Sequence, residues 1–184
     1  MTSTASSSTE PAIPVLISAE AIQTRIRELA SAISGDYAGR DLVLIGVLRG
    51  VVFFMADLMR AISIPTSFDM ISISRYGPTT QTRGVVRITK DLEEPIEGRD
   101  VLFVEDIIDT GLTLGYLLRT LRARGPASLE VCVLLDRPHR RLIDIPVAYR
   151  GFEIRDDFVV GYGLDYRQHH RNLPYIGLFS PSSR

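Results

Sequence analysis

Along the chain, uninterrupted apolar runs alternate with segments whose apolar residues recur every three or four positions. The runs are "LVLIGVL" at 42–48, "VLFV" at 101–104 and "LEVCVLL" at 129–135, with "SFDMISIS" at 67–74 as a further strand. Runs of this length without alternation are the mark of strands buried on both faces. Between them, Ile22, Ile26, Leu29 and Ile33 fall on one helical face, with Ser18 placed to cap the start and Gly35 to end it. "VVFFMADLMRAI" at 51–62 predicts a second helix after a tight turn at Arg49-Gly50. Leu114, Leu117, Leu118 and Leu121 share the apolar face of a third, stopped by Gly125-Pro126. Strands alternating with helices predict an α/β domain built on a doubly wound, mainly parallel sheet. Such sheets take their ligands at the carboxyl ends of the strands.

Two segments fit that layout less well. Ser74 to Lys90, "SRYGPTTQTRGVVRITK", is polar and marked by Gly and Pro before it alternates like a strand, which predicts a hairpin arm able to act as a flexible lid. The stretch "VAYRGFEIRDDFVVGYGLDYRQHHRNLPYIGLF" is strand-like and aromatic with frequent turns, and predicts a small hood lobe folded back over the sheet from the C-terminal segment. Residues 1–12 are rich in Ser and Thr without hydrophobic anchors and are expected to form a disordered tail, leaving 13–184 as one domain.

Composition narrows the function. A hydrophobic fraction of 45% over 184 residues suffices for a real core. The net charge of −1, with both signs interleaved, provides no basic field for nucleic acid, so any phosphate recognition must be local. The lone Cys132 lies within an apolar run, where a buried structural thiol is expected rather than a nucleophile, and its lack of a partner points to a reducing compartment. The start "MTSTASSSTEPA" has no basic or apolar signal region, and no stretch approaches the ~20 apolar residues of a membrane span. No membrane association and a cytoplasmic location are expected.

The chemistry concentrates in "VLFVEDIIDTGLTL", Val101 to Leu114. An apolar strand ends in Glu105 and Asp106, and Asp109, Thr110, Gly111, Leu112 and Thr113 lead into a helix. Backbone N–H groups in such a loop, the positive helix end and the two threonine hydroxyls offer several donors to a phosphate, while Gly111 lets the backbone approach closely. Adjacent acids repel a phosphate but suit a sugar diol, with a divalent metal offsetting their charge. A phosphorylated ribose therefore fits better than a nucleoside triphosphate. Other readings are weaker. An aspartic-protease reading of Asp109-Thr110-Gly111 requires a second facing aspartate in a β-rich fold, and the chain has one such triplet, placed before a helix. The GxxxxGK[ST] phosphate loop is absent, and "GYG" at 161–163 is too short for a dinucleotide fingerprint. An ordinary strand-to-helix loop with solvated acids remains the plain alternative.

These residues resemble the 5-phosphoribosyl-1-pyrophosphate (PRPP) signature of type I phosphoribosyltransferases, and the double isoleucine after Glu-Asp is similar to the hypoxanthine-guanine branch. "GVLRG", "FMADLMRAI", "GVVRITKDL", "GFEIRDDFVVGYGLDY" and "RNLPYIG" resemble that branch in the same order, so the likeness covers nearly all of Val15 to Phe179. It implies transfer of phosphoribose from PRPP to a 6-oxopurine with inversion at C1, Mg²⁺ as cofactor, and pyrophosphate and a nucleoside monophosphate as products. By matching positions it implies ribose hydroxyls on Glu105 and Asp106, the purine imidazole nitrogen facing Asp109 as general base, and the 5-phosphate in the loop Asp109 to Thr113. Arg49 and Gly50 match a pyrophosphate turn with a non-proline cis peptide at Leu48-Arg49. Arg171 matches a cationic pyrophosphate contact and Tyr76 a tyrosine that closes over it. For the base, Phe158 would stack, Val159 offer backbone groups and Asp165 help hold a second Mg²⁺. Glu105 and Asp106 would serve the first. Three positions depart from the family pattern: Arg137 and Arg49 stand for lysines and Arg75 for a serine. A guanidinium is not equivalent to an ammonium in a tight site, so Arg137 is expected to select a 6-oxo group with altered preference among hypoxanthine, guanine and xanthine.

A xanthine- or guanine-preferring enzyme is one alternative. A non-catalytic PRPP- or purine-sensing regulator is another, disfavoured because residues 1–17 leave no room for a DNA-binding domain and the charge is balanced. Few polar positions on "VVFFMADLMRAI" hint at a homodimer or homotetramer. His139, His169 and His170 lack metal-ligand spacing and are expected to be exposed.

Overall fold

The computed structural model describes residues 13–75 and 86–180. The predicted tail at 1–12 and the middle of the predicted arm, Tyr76 included, lie outside the described residues. In chain order the strands are β1 (Val15–Ile17), β2 (Leu42–Val47), β3 (Thr66–Arg75), β4 (Val86–Lys90), β5 (Asp100–Ile108), β6 (Ser128–Asp136), β7 (Tyr149–Glu153), β8 (Val159–Val160) and β9 (Ile176–Leu178). The helices are α1 (Ala19–Asp36), α2 (Val52–Ala61) and α3 (Leu112–Arg122), with a 3₁₀ turn at Pro138–Arg140.

Six strands form one sheet in the order β4-β3-β2-β5-β6-β7. β2, β3, β5, β6 and β7 run parallel, and β4 folds back antiparallel on β3. The uninterrupted apolar runs sort cleanly by the two-residue period of a strand. Leu42 and Leu44 of β2, Leu102 and Val104 of β5, and Cys132 and Leu134 of β6 face α1 and α2. Val43 and Ile45, Val101 and Phe103, and Val131 and Val133 face α3. Helices on both faces thus bury both sides of the central strands, as the apolar pattern predicts.

Ser18 caps α1, its hydroxyl accepting from the Ala21 N–H at 3.2 Å. The helix does not stop at Gly35 as expected, but continues to Asp36, and buried Tyr37 closes it by donating its N–H to Ile33 O. The left-handed glycine that reverses the chain is Gly39 (φ 76°). The second difference lies in the aromatic tail. Its first part, β7, does not join the hood but extends the main sheet parallel to β6. In this edge strand half-buried Tyr149, Gly151 and Phe152 are broken by exposed Arg150 and Glu153, a pattern that a separate hairpin would also show. β8 and β9 do form a small second sheet, with β1 from the N-terminal side as its third strand. Tyr162, which follows β8, ties this lobe to the body: its hydroxyl donates to Asp57 Oδ2 at 2.5 Å, and Gln23 Nε2 donates to the same oxygen at 2.7 Å.

Cys132 is fully buried, and burial pushes its thiol well above the usual range. Native protein is therefore expected to show no reaction with a thiol-titrating disulfide reagent, and denatured protein one equivalent; a rapidly reacting thiol in the native state would contradict this packing.

Candidate active site

β5 is apolar and buried from Val101 to Val104 and then presents half-buried Glu105 and Asp106 before Ile108 returns to the core. The carboxyl ends of β5 and β6 lie level, with Ile108 opposite Asp136 and the Arg137 N–H donating to Ile108 O at 3.1 Å. Two adjoining cavities open there. One of about 270 Å³ is lined by the Leu48–Gly50 turn, Glu105, Asp106 and the loop Asp109 to Thr113. The other, about 350 Å³, is lined by Arg137, Phe158, Val159, Asp165 and Arg171. Gly50, Asp106, Ile107 and Asp109 border both. One ligand can therefore span the two.

The first cavity has the form of an anion cradle. Gly111 precedes α3 in a left-handed conformation (φ 80°) and supplies no capping side chain, so the positive start of the helix opens toward the cavity that Thr110, Gly111 and Thr113 line. A Cβ on Gly111 would also stand 3.0 Å from Ile145 and 3.2 Å from Ile143, so a side chain here is opposed by both conformation and space. Across the cavity the Leu48–Arg49 peptide is cis, as the resemblance implies. A Cβ on Gly50 would run into the Asp106 carboxylate, so only glycine lets this turn lie against the acid.

Asp106 accepts the Ile107 N–H at 2.7 Å. Burial pushes its carboxyl up to about 6; its backbone hydrogen bonds and Arg171 pull against that shift, and Asp165 adds to it. Asp109 is 41% exposed and faces two guanidiniums, Arg140 Nε at 2.9 Å and Arg137 Nη1 at 3.7 Å. Arg137, only 8% exposed, also donates to Asp157 O. It is therefore not a solvated loop residue but a fixed bridge between the strand end and the hood. In the hood, Arg171 pairs with Asp165 at 2.6 Å and donates to Gly163 O at 2.5 Å. The Gln168 N–H donates to Asp165 Oδ2 at 2.7 Å. Gln168 Oε1 accepts from Arg171 at 3.3 Å and from Arg49 at 3.4 Å, which couples the two arginines. Phe158 is 45% exposed and meets Tyr166 edge-on at 5.8 Å, so its ring is available for stacking while Val159 beside it is buried in β8.

Apart from Tyr76 and Leu112, the sequence candidates line these two cavities; Leu112 turns its side chain outward, 53% exposed, and lines neither. His139 and His169 are exposed, whereas His170 is half-buried against Phe179 at 5.2 Å. Among the described residues no group of three or more His, Cys, Asp or Glu could hold a metal unaided. Arg140 and Gln168 were not among the candidates. The signal for Arg140 was present in "RPHRR", a cluster of cations directly after a strand end.

Residues 17–167 match the phosphoribosyl transferase domain family. The chain is 53% identical to the hypoxanthine-guanine phosphoribosyltransferase of Mycobacterium avium over 173 residues, covering 91% of this chain and 85% of the relative. It is 50% identical to the hypoxanthine phosphoribosyltransferase of Haemophilus influenzae over 168 residues, covering 90% and 94%. Among solved structures, a hypoxanthine phosphoribosyltransferase from Staphylococcus aureus superposes with a TM-score of 0.86 at 47% identity, covering 91% of both chains.

The raised carboxyl of Asp106 has a consequence for stability. A group that binds its proton more tightly when folded destabilises the fold as pH rises between its unfolded value and its folded one. Without divalent ions, wild type and Asp106→Asn are expected to have similar unfolding free energies near pH 4. The Asn variant should gain on the order of 2 kcal/mol relative to wild type by pH 7, as read by denaturant melts across that range. A gap constant with pH would show that Asp106 ionises normally.

Proposed function

The chain belongs to the phosphoribosyl transferase family, and we propose that it moves the 5-phosphoribosyl group of PRPP onto a 6-oxopurine, hypoxanthine and also guanine, releasing pyrophosphate and the nucleoside monophosphate. It is a transferase of purine salvage. The observation that carries this reading is the pair of adjoining cavities bordered by the same two carboxylates, Asp106 and Asp109. One has an anion cradle and the other an aromatic wall with a buried guanidinium, which is the combination a phosphorylated sugar and a keto base require together.

In this reading the loop Asp109 to Thr113 receives the 5-phosphate, and Glu105 and Asp106 accept from the ribose hydroxyls. Arg49, Gly50 and Arg171 receive the pyrophosphate, with Gln168 holding the two guanidiniums in register. Phe158 stacks on the purine, Val159 bonds its edge through the backbone and Arg137 donates to the 6-oxo group. Asp109, at the boundary of the cavities, takes the imidazole proton as the base nitrogen bonds to C1 and the pyrophosphate departs. Breaking that bond develops positive charge on the sugar and negative charge on the leaving group. Carboxylates and arginines both line the cavities in which these charges would develop. By the family likeness Tyr76, which lies outside the described residues, would serve the pyrophosphate, a leaving group from which water must be kept. Mg²⁺ fits this donor set: Glu105, Asp106 and Asp165 offer oxygens but no complete cage, and that ion takes its remaining ligands from substrate and water. When bound it offsets the charge of the pyrophosphate. The burial-raised carboxyl of Asp106 is one that a cation would return to its ionised form.

We also infer a cytoplasmic location, supported by a single buried thiol. No helix among the described residues is long and apolar enough to cross a membrane. Assembly as a homodimer or homotetramer is supported by the exposed Val52 and Phe53 at the start of α2.

Purified protein given PRPP, Mg²⁺ and separate bases is expected to form monophosphates from hypoxanthine and guanine. Turnover of adenine alone would overturn the assignment. Asp109→Asn should lower kcat by roughly 10²-fold while KM for PRPP stays near wild type; an unchanged kcat would remove the base role. Arg137→Ala is expected to erode discrimination between hypoxanthine and adenine, read as the ratio of kcat/KM for the two. Retained discrimination would assign the keto contact elsewhere.

A further inference from the structure

Asp136, the last residue of β6, is fully buried. One carboxylate oxygen meets Arg141 Nη2 at 2.6 Å and the other Arg150 Nε at 2.7 Å. Burying such a group is costly, and ion pairs in interiors seldom repay their desolvation relative to apolar packing. The local geometry shows what this one holds. Arg141 is itself mostly buried, and its Nη1 donates to Ile145 O at 2.7 Å, so one guanidinium ties the strand end to the far side of the segment 137–145. That segment braces the proposed phosphate loop at two points. The Leu142 N–H donates to Thr110 O at 2.9 Å, and Ile143 and Ile145 form the wall against which Gly111 lies. The same segment carries Arg137 and Arg140, the two guanidiniums that face Asp109.

We propose that Asp136 and Arg141 are a positioning pair for the phosphate loop: their ion pair fixes the 137–145 segment, and through Leu142 and the two isoleucines fixes the left-handed turn at Gly111 that aims the helix amides at the 5-phosphate. Neither residue touches substrate. Arg150, on the other oxygen and 45% exposed at its side chain, completes the charge of Asp136 without reaching the brace. The two arginines therefore separate positioning from stability. This inference rests on the assignment of the Asp109 to Thr113 loop to a phosphate.

The test compares Arg141→Met, Arg141→Lys and Arg150→Met in the full chain by steady-state kinetics, PRPP calorimetry with Mg²⁺ and thermal unfolding. Arg141→Met is expected to raise KM and Kd for PRPP roughly tenfold, with KM for the purine within about twofold. Arg141→Lys keeps the charge opposite Asp136 but lacks a second forked donor for Ile145, so it should restore the melting temperature and only part of the PRPP affinity. Arg150→Met should lower the melting temperature and leave KM for PRPP near wild type. The proposal is overturned if Arg141→Met binds PRPP as wild type does, or if Arg150→Met weakens PRPP to the same degree. Should Arg141→Met fail to fold, Arg141→Lys decides: full PRPP affinity in it sinks the pair. Wild-type protein that takes up no PRPP would instead sink the functional reading itself.

Discussion

Carboxylates gathered at the end of one strand repel one another, and the site depends on how that repulsion is contained. Glu105, Asp106 and Asp109 fall within five residues of β5 and its loop, with Asp165 near enough to raise Asp106 further. In water such a set would be tolerable, but in a cavity it is costly unless cations lie close by. The fold supplies them from different elements. Arg171 comes from the hood, Arg137 and Arg140 from the segment after β6, and Arg49 from the turn after β2. Level pairing of β5 with β6, Ile108 opposite Asp136, brings the second group of cations to the first group of acids. A shift of register would separate them.

How much of this can be read from the chain follows the range of the interactions. β2, β5 and β6 are legible because burial on both faces makes their centres uninterrupted apolar runs at 42–47, 101–104 and 131–135. The proposed phosphate loop is legible because strand, loop and helix start are contiguous from Val101 to Leu114, so local chemistry defines the whole unit. The end of α1 was misjudged at Gly35 because glycine tolerates a helix as well as a turn, and buried Tyr37 settles the choice. β7 is misplaced because a half-buried strand pattern does not say which sheet is being joined. The contacts of Asp136 with Arg141 and Arg150, and of Gln168 with Arg49, depend on pairings of strands and turns that no local pattern contains. In "RPHRR" the arginines are equivalent as letters, yet one faces the base cavity, one the loop acid and one the buried aspartate.

The arginine at 137 follows from the same gathering of charge. An ammonium is a compact point charge, whereas a guanidinium has five donors in a plane and can address several acceptors together. Arg137 uses that reach: one terminal nitrogen bonds Asp157 O at the entry to the hood, while the other lies 3.7 Å from Asp109. The hood and the loop that carries Asp109 are thus joined through one side chain that also borders the second cavity. A base entering that cavity would meet a donor already engaged on both sides, so its keto oxygen adds to an existing network without having to order a flexible chain. On the proposed reading, selectivity for a keto group over an amino group then has a physical source. An amino donor placed there would face a cation with no acceptor to offer and no freedom to withdraw.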